Sequence, residues 1–290
     1  MDTRTEWLAE VVREAEKIPL VEDYIAAPSG KRYGVGRRLG SSTRFTLYES
    51  VWGECITGTL KIAKSREDNH FLDQEAMVLG LLAAKAAKSE KESKEKMWSH
   101  DRIFSPRLIE SFIAKSRDNC RVNILGFPET MESLTELTPI STLREIEHVR
   151  VDPRTGAWML GKMLKVLSFI HEQGISNAPV GNNILIERER YELIFFDWTH
   201  AVIHSNGVPQ KIARAELSAA GRIATLALGG DLKTGIIPAD SQLTDKRFEE
   251  YLHKLIDWYM ADAAQARDEF YTLIRELWPQ EFHPFTTYEL

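Results

Sequence analysis

The stretch NNILIERERYELIFFDWT, from Asn182 to Thr199, decides how the second half of the chain is interpreted. It contains two short apolar runs, NILIE and ELIFFD, and the polar segment from Glu187 to Tyr191 that joins them predicts a hairpin of two strands. Asn183 precedes the first run and Asp197 ends the second. Each is a weak signal alone, because asparagine is common in turns and aspartate often caps helices. The meaning of the pair depends on the rest of the chain.

The region before this stretch is rich in β-strand signals. From Tyr33, the runs RYGVGRRLG, RFTLYESVW and ECITGTLKIA are separated by glycine and serine, and they predict a three-stranded antiparallel meander. RLIESFIAK and CRVNILGF predict two further strands. Apolar residues at helical spacing predict a buried helix between the two groups of strands. Its apolar stripe contains Phe71, Leu72, Val78, Leu79 and Leu82, with Glu75 among them.

Helical patterns dominate the remainder. DPRTGAWMLGKMLKVLSFIHEQG predicts a helix that begins near Pro153 and ends before Gly174. Its apolar face contains Leu160, Met163, Leu164, Leu167 and Ile170. Three later patterns predict helices, and Trp158, Trp258 and Trp278 are expected to pack in apolar helical surroundings. The predicted organisation is an N-terminal amphipathic helix and linker (1–29), a β-rich lobe (30–132) and a helical lobe (133–290).

Composition excludes several classes of function. The formal net charge of −6 gives no basic surface for nucleic acid or anionic membrane, so small molecules or proteins are the expected partners. Cys55 and Cys120 are the only cysteines, which argues against a disulfide framework or a structural zinc site. The acidic N-terminus lacks an apolar signal segment, and no apolar run reaches about 18 residues. We therefore expect a cytoplasmic protein without a membrane span.

The order of these features resembles the protein-kinase-like superfamily, over roughly Tyr33 to Gly230. The shared features are a glycine turn between two strands, a lysine in the third strand, an acid inside a helix stripe, and the NIL and FFD runs. The resemblance implies an α+β, bilobal protein-kinase-like fold. A small β-rich N-lobe would contain one main helix, and the C-lobe would be mostly helical. ATP and Mg²⁺ are the implied cofactors.

The resemblance also implies roles for particular residues. Lys61 and Glu75 match the pair that binds nucleotide, and a carboxylate on a buried helix stripe is disfavoured without a cation. The alternative is that Glu75 lies at the edge of the stripe and Lys61 is solvated. Asn183 and Asp197 match the metal ligands, and their amide and carboxylate oxygens suit Mg²⁺. Gly40, Thr59 and Leu185 complete the implied nucleotide site, with Leu185 under the adenine and Thr59 above it.

The chain departs from the family pattern at the phosphate loop. The family's GxGxxGxV is replaced by GSSTRFTL, which keeps Gly40 and places Ser42 and Phe45 where glycines let the backbone approach phosphate. The family's DFG is DWT, so Thr199 replaces its glycine. Phosphate cradling is therefore expected to be weak.

The catalytic loop departs further. Between Gly174 and Ile186 there is no acidic residue, and the position of the family's catalytic aspartate falls on Ala178 or, with one residue deleted, on Pro179. Neither side chain can accept a proton. The short span from Asp197 to Glu216 also leaves too little chain for a peptide-binding platform.

These observations favour a pseudokinase that acts as a nucleotide-gated regulatory or interaction module with a protein partner. Two alternatives stay open. One is an atypical phosphotransferase for a small molecule or a specialised protein, because phosphoryl transfer depends more on positioning and electrostatics than on a base. The other is a scaffold that binds no nucleotide.

Overall fold

The computed structural model describes residues 23–52, 56–92, 105–127, 137–231, 236, 245–278 and 281–290. The predicted N-terminal helix and the predicted lobe boundary at 132 lie outside these residues. The chain divides into two compact units, Met1–Gly80 with Pro106–Glu136 and Leu81–Ser105 with Leu137–Leu290. Within the described residues, no helix combines the length and apolarity that crossing a membrane requires.

The first unit contains a six-stranded antiparallel sheet in the order β1-β2-β3-β4-β6-β5. The strands are β1 (Asp23–Ala26), β2 (Arg32–Ser41), β3 (Phe45–Trp52), β4 (Ile56–Ala63), β5 (Arg107–Ala114) and β6 (Cys120–Gly126). The predicted meander is β2 to β4, and the two further predicted strands are β5 and β6. β1 lies in the range predicted as linker and pairs with β2.

The alternation of side chains along β4 determines what each face of the sheet carries. Leu60 and Ile62 point to one face and join a buried core with Val122 and Ile124 of β6. Lys61, between them in sequence, therefore points to the opposite face. The sheet curls around this core, so that Tyr33 near its first edge stacks on Phe112 of β5, with ring centroids 6.3 Å apart.

Helix α1 (Asn69–Glu92) packs against the face of β4 that carries Lys61. Leu72 of this helix is fully buried and contacts Ala63 and Cys120 in a second, smaller apolar cluster. Four of the five residues of the predicted helical stripe, Leu72, Val78, Leu79 and Leu82, are buried, and Glu75 lies among them with no exposed surface. The fifth, Phe71, is partly buried.

The second unit is mainly helical. Its helices are α2 (Ile140–Glu145), α3 (Pro153–Glu172), α4 (Gln210–Ala227), α5 (Lys246–Ile256) and α6 (Ala263–Leu277). The Asp152 carboxylate caps α3 by accepting hydrogen bonds from the backbone N–H groups of Arg154 (2.8 Å) and Thr155 (3.3 Å). Gly174 follows the helix with φ = +70°, as its predicted C-terminal position requires. The predicted apolar face of α3 is fully buried.

Short strands complete this unit and position its loops. They are β7 (Thr138–Pro139), β8 (Val149–Val151), β9 (Ile175–Ser176), β10 (Ile184–Glu187), β11 (Glu192–Phe195), β12 (Val202–Ile203) and β13 (Thr287–Glu289). β10 and β11 form the predicted hairpin, with Ile184 opposite Phe195. β13 pairs with β8 and returns the C-terminal segment to the start of α3. The core prediction for Trp258 is wrong: it is 42% exposed, because α5 ends at Ile256 and the backbone turns there.

Candidate functional site

Lys61 and Glu75 form the predicted ion pair in the first unit. Lys61 Nζ donates to Glu75 Oε1 at 2.7 Å, and both side chains are completely buried. β4 places the lysine and α1 places the glutamate, so the pair joins the sheet to the helix. The edge-and-solvent alternative is excluded by this burial. A buried ion pair needs further hydrogen bonds to offset the cost of desolvation.

Those hydrogen bonds come from Asn123 on β6, which the sequence analysis did not identify. Its Nδ2 donates to Glu75 Oε2 at 3.0 Å and to the carbonyl of Leu72 at 2.9 Å. Its Oδ1 accepts from the hydroxyl of Ser111 at 2.7 Å. Asn123 is directly opposite Lys61 in the β4–β6 register. The asparagine within the mostly apolar run CRVNILGF was the available signal. Only the strand register shows that this asparagine lies opposite Lys61.

Phe45 covers part of the Lys61 ammonium. The Nζ atom lies 4.2 Å from the centroid of the Phe45 ring, a distance at which a cation is attracted to an aromatic face. The ring also packs against the cluster of Ala63, Leu72 and Cys120. Phe45 stands where the resemblance implies a glycine. An apolar ring therefore lies beside the ammonium group of Lys61.

The turn before Phe45 uses its own backbone donors. Ser42 Oγ accepts from the N–H groups of Arg44 (3.2 Å) and Phe45 (3.1 Å), which are the kind of donors that cradle phosphate in glycine-rich loops. Lys64 Nζ donates to the carbonyl of Ser42 at 2.5 Å, and the Arg44 guanidinium lies 3.8 Å from the centroid of the Phe71 ring. The turn is thus held closed on both sides.

The other three residues implied for nucleotide binding, Gly40, Thr59 and Leu185, lie in strands, and their role stays a prediction. Gly40 lies in β2, where an added Cβ would meet only Leu47 at 4.0 Å among its neighbours, so packing does not require a glycine. Leu185 is buried in β10 of the second unit. Thr59 is fully buried in β4, and its hydroxyl has no hydrogen-bond partner within the described chain. An unsatisfied buried hydroxyl costs about 1–3 kcal/mol, so a ligand that bonds to Thr59 would gain from it.

Asn183 and Asp197 lie side by side in the second unit. Asn183 Nδ2 donates to the Asp197 carbonyl at 3.0 Å, and its Oδ1 accepts from the Asp197 N–H. The Asp197 carboxylate accepts from the Thr199 N–H (3.1 Å) and hydroxyl (2.7 Å) at the same oxygen, Oδ1. The oxygens are of the type that Mg²⁺ prefers. Their role as metal ligands stays a prediction.

The loop before Asn183 presents no catalytic carboxylate. Ala178 is exposed and Pro179 is buried, and neither carries a titratable group. Asn177 in this loop is buried, and its Nδ2 donates to the Asp197 carbonyl at 3.0 Å. Asn177 and Asn183 therefore hold the same backbone carbonyl from two sides. The loop fixes the backbone around Asp197.

The segment after Asp197 is short and tied to the rest of the unit. Trp198 is completely buried and donates through its indole N–H to the Phe195 carbonyl at 2.7 Å. β12 then pairs with β9, and His204 Nε2 lies 2.9 Å from the Ser176 hydroxyl. α4 begins at Gln210. Among the described residues, no group of three or more His, Cys, Asp and Glu side chains could hold a metal ion.

Comparison with known proteins identifies the fold. No protein-family model matches the chain, and no curated protein matches its sequence. Among solved structures, it is similar to "Structure of vaccinia related kinase 3", with 13% sequence identity, a TM-score of 0.62 and coverage of 89% of this chain and 91% of that chain. The predicted fold class is confirmed: the chain has an α+β, bilobal protein-kinase-like fold, with a curled β-sheet in its N-terminal half and a helical C-terminal part.

Proposed function

We propose that this protein is a pseudokinase, a regulatory module with a protein partner, in which the Phe45 contact opposes the binding of ATP. The observation that carries this proposal is the loop from Gly174 to Ile186, which has no acidic residue and whose buried Asn177 is bonded to the Asp197 backbone. General-base help is typically worth about 10² to 10⁴ in rate, and no side chain in this loop can provide it.

Acceptor positioning is the larger requirement of phosphoryl transfer, and it supports the same proposal. The segment between Asp197 and α4 is occupied by the buried Trp198 and by the pairing of β12 with β9. Little chain is left there to hold a peptide substrate. Standard peptide phosphorylation is therefore not expected.

The retained Lys61–Glu75 pair favours nucleotide binding over a pure scaffold. A buried ion pair can often be replaced by apolar residues with no loss of stability, so stability alone does not explain why the pair is present. Lys61 would bind the nucleotide phosphates after Phe45 moves away from it, and Asn183 and Asp197 would hold the Mg²⁺. The bound ion would neutralise phosphate charge. Phe45 packs over the fully buried Lys61, so a phosphate group can reach the lysine only after the ring moves. We therefore propose that Phe45 is a gate for ATP binding.

Two alternatives have an observation of their own. The Asn183–Asp197 pair favours an atypical phosphotransferase, because a metal site and good positioning can support transfer without a base. The turn closed by Ser42 favours a scaffold without nucleotide, because its phosphate-facing donors are already used.

Two measurements on the full chain separate the three functions. Thermal shift with ATP, with and without Mg²⁺, tests binding, since a ligand at about 100 times its Kd stabilises the folded state by about 2.7 kcal/mol. Transfer of label from radioactive ATP to a cellular extract, beside an Asp197→Ala control, tests catalysis. Binding without transfer supports the pseudokinase. Transfer that the control abolishes supports the phosphotransferase, and the absence of both supports the scaffold.

A further inference from the structure

A cavity of about 510 Å³ lies within the second unit, away from every residue assigned above to nucleotide or metal. Its walls come from four separate parts of the chain. Trp158 belongs to α3, Tyr271 to α6, Tyr191 to the turn between β10 and β11, and Phe282 to the C-terminal segment. Because aromatic rings from all four parts line the cavity, we call it the aromatic cup.

The rings of the aromatic cup are held by one another and by a hydrogen bond. Tyr191 meets Trp158 edge-on at 5.6 Å and Phe282 edge-on at 5.4 Å between centroids. The Tyr191 hydroxyl donates to the carbonyl of His283 at 2.9 Å, which fixes the ring against the C-terminal segment. Phe282 nevertheless remains 80% exposed, so an apolar ligand in the cup would cover a large ring that water now contacts.

The charges at the cup favour an anion. Arg154 and Arg275 contribute two guanidinium groups, whereas Glu281 is the single carboxylate among the described lining residues. Arg275 donates through Nε to the Tyr271 carbonyl at 3.0 Å and through Nη2 to Thr272 Oγ1 at 3.4 Å. Both bonds lie within α6, and within the described chain Arg275 has no acidic partner. Its Nη1 edge can therefore meet a carboxylate.

Tyr271 does not add a competing negative charge. Burial raises the pKa of Tyr271 to about 12, so its hydroxyl is protonated at neutral pH. The aromatic wall is thus neutral, and the balance of charge among the described lining residues is positive.

We propose that the aromatic cup binds a small amphipathic anion, with a flat apolar body between the rings and one carboxylate or sulfonate at Arg275. The volume lies in the range of about 300–1,000 Å³ that is typical of pockets for drug-sized ligands. A partner helix fits less well, because it needs a groove that extends over successive turns, whereas four separate segments line this cavity. This proposal does not depend on nucleotide binding.

The probe is 1-anilinonaphthalene-8-sulfonate, whose fluorescence rises in apolar surroundings, and its neutral counterpart is N-phenyl-1-naphthylamine. Phe282→Ala is expected to weaken the binding of both dyes to the full chain about tenfold, through the lost ring contact. Arg275→Gln is expected to weaken only the sulfonate, by about two- to fivefold, because the rim is exposed to water. High salt should reduce the difference in sulfonate affinity between wild type and Arg275→Gln, because salt screens an exposed charge.

Matched controls separate the cup from general surface binding. Tyr259→Ala removes a ring that is 76% exposed outside the cup, and Arg247→Gln removes an exposed guanidinium from α5. Neither control should change either dissociation constant, and thermal melting should show that all variants are folded. The cup proposal is overturned if Phe282→Ala binds both dyes as wild type does, or if Tyr259→Ala loses as much. Equal weakening of both dyes by Arg275→Gln would overturn the assignment of an anion.

Discussion

Replacing Phe45 by leucine tests the proposed gate most directly. Leucine keeps an apolar side chain against Ala63, Leu72 and Cys120 but removes the ring that lies 4.2 Å from Lys61 Nζ. A cation–π contact is worth about 0.5 kcal/mol when exposed and about 2 kcal/mol when desolvated. Lys61 is fully buried, so the upper part of this range applies.

Phe45→Leu is expected to bind ATP more tightly than wild type, because Lys61 then has no cation–π contact to give up when it binds phosphate. A contribution of about 1–2 kcal/mol corresponds to about 5- to 30-fold in the dissociation constant. Calorimetric titration with ATP and Mg²⁺ measures this change. Adenosine has no phosphates, so its affinity should be the same for wild type and Phe45→Leu.

Phe112→Leu is the matched control. It makes the same chemical change on β5, in the apolar core on the face of the sheet opposite Lys61. It should destabilise the first unit without changing ATP affinity. The gate is refuted if Phe45→Leu binds ATP no more tightly than wild type. The gate is also refuted if Phe45→Leu raises the affinity for adenosine as much as the affinity for ATP. It is refuted as well if Phe112→Leu raises the affinity for ATP by the same factor.

Three further predictions follow from the hydrogen-bond networks. Lys61→Met leaves the buried Glu75 carboxylate without its cation, so the free energy of unfolding in urea titrations should fall by about 3–5 kcal/mol. The double variant Lys61→Met with Glu75→Leu should regain much of this stability but should not regain ATP binding. Asn123→Leu removes a donor to Glu75 and should cost about 1–3 kcal/mol in the same assay; an unchanged midpoint would contradict the network. Asp197→Asn keeps an acceptor for Thr199 but loses the charge, so ATP stabilisation measured by thermal shift should no longer depend on Mg²⁺. Persistent Mg²⁺ dependence would show that the metal is held elsewhere.

Local sequence patterns were sufficient for most secondary-structure elements. The helical spacing in α3, the proline at its start and the glycine after it define one helix within a single segment, because helix formation depends on neighbours three and four residues apart. The β10–β11 hairpin is equally local. The pairing of Lys61 with Glu75 was predictable because a carboxylate on a buried stripe needs a cation.

The contacts that define the site depend on strand register. Asn123 reaches Glu75 only because β6 pairs with β4 so that Asn123 is opposite Lys61. β2 has register shifts against β3 between Val35 and Gly40. A shift of one residue moves every side chain to the other face of a sheet. Composition and spacing do not specify such shifts.

The sequence alone determined the order of the predicted elements and the missing carboxylate before Asn183, because these depend on local periodicity and on residue type. The fold class and the Lys61–Glu75 pair were implied by the resemblance of that order to the protein-kinase-like superfamily. The tertiary structure alone decided that Phe45 lies over Lys61 and that Phe282 meets Tyr191 and Trp158 in the aromatic cup. The contacts of the cup join segments far apart in the chain, and the contact of Phe45 with Lys61 depends on the register between β3 and β4. They form only when several elements bury their apolar surfaces together. The free energy of this burial is non-directional and depends on the buried area, so the spacing of residues in the sequence does not reveal which side chains will meet.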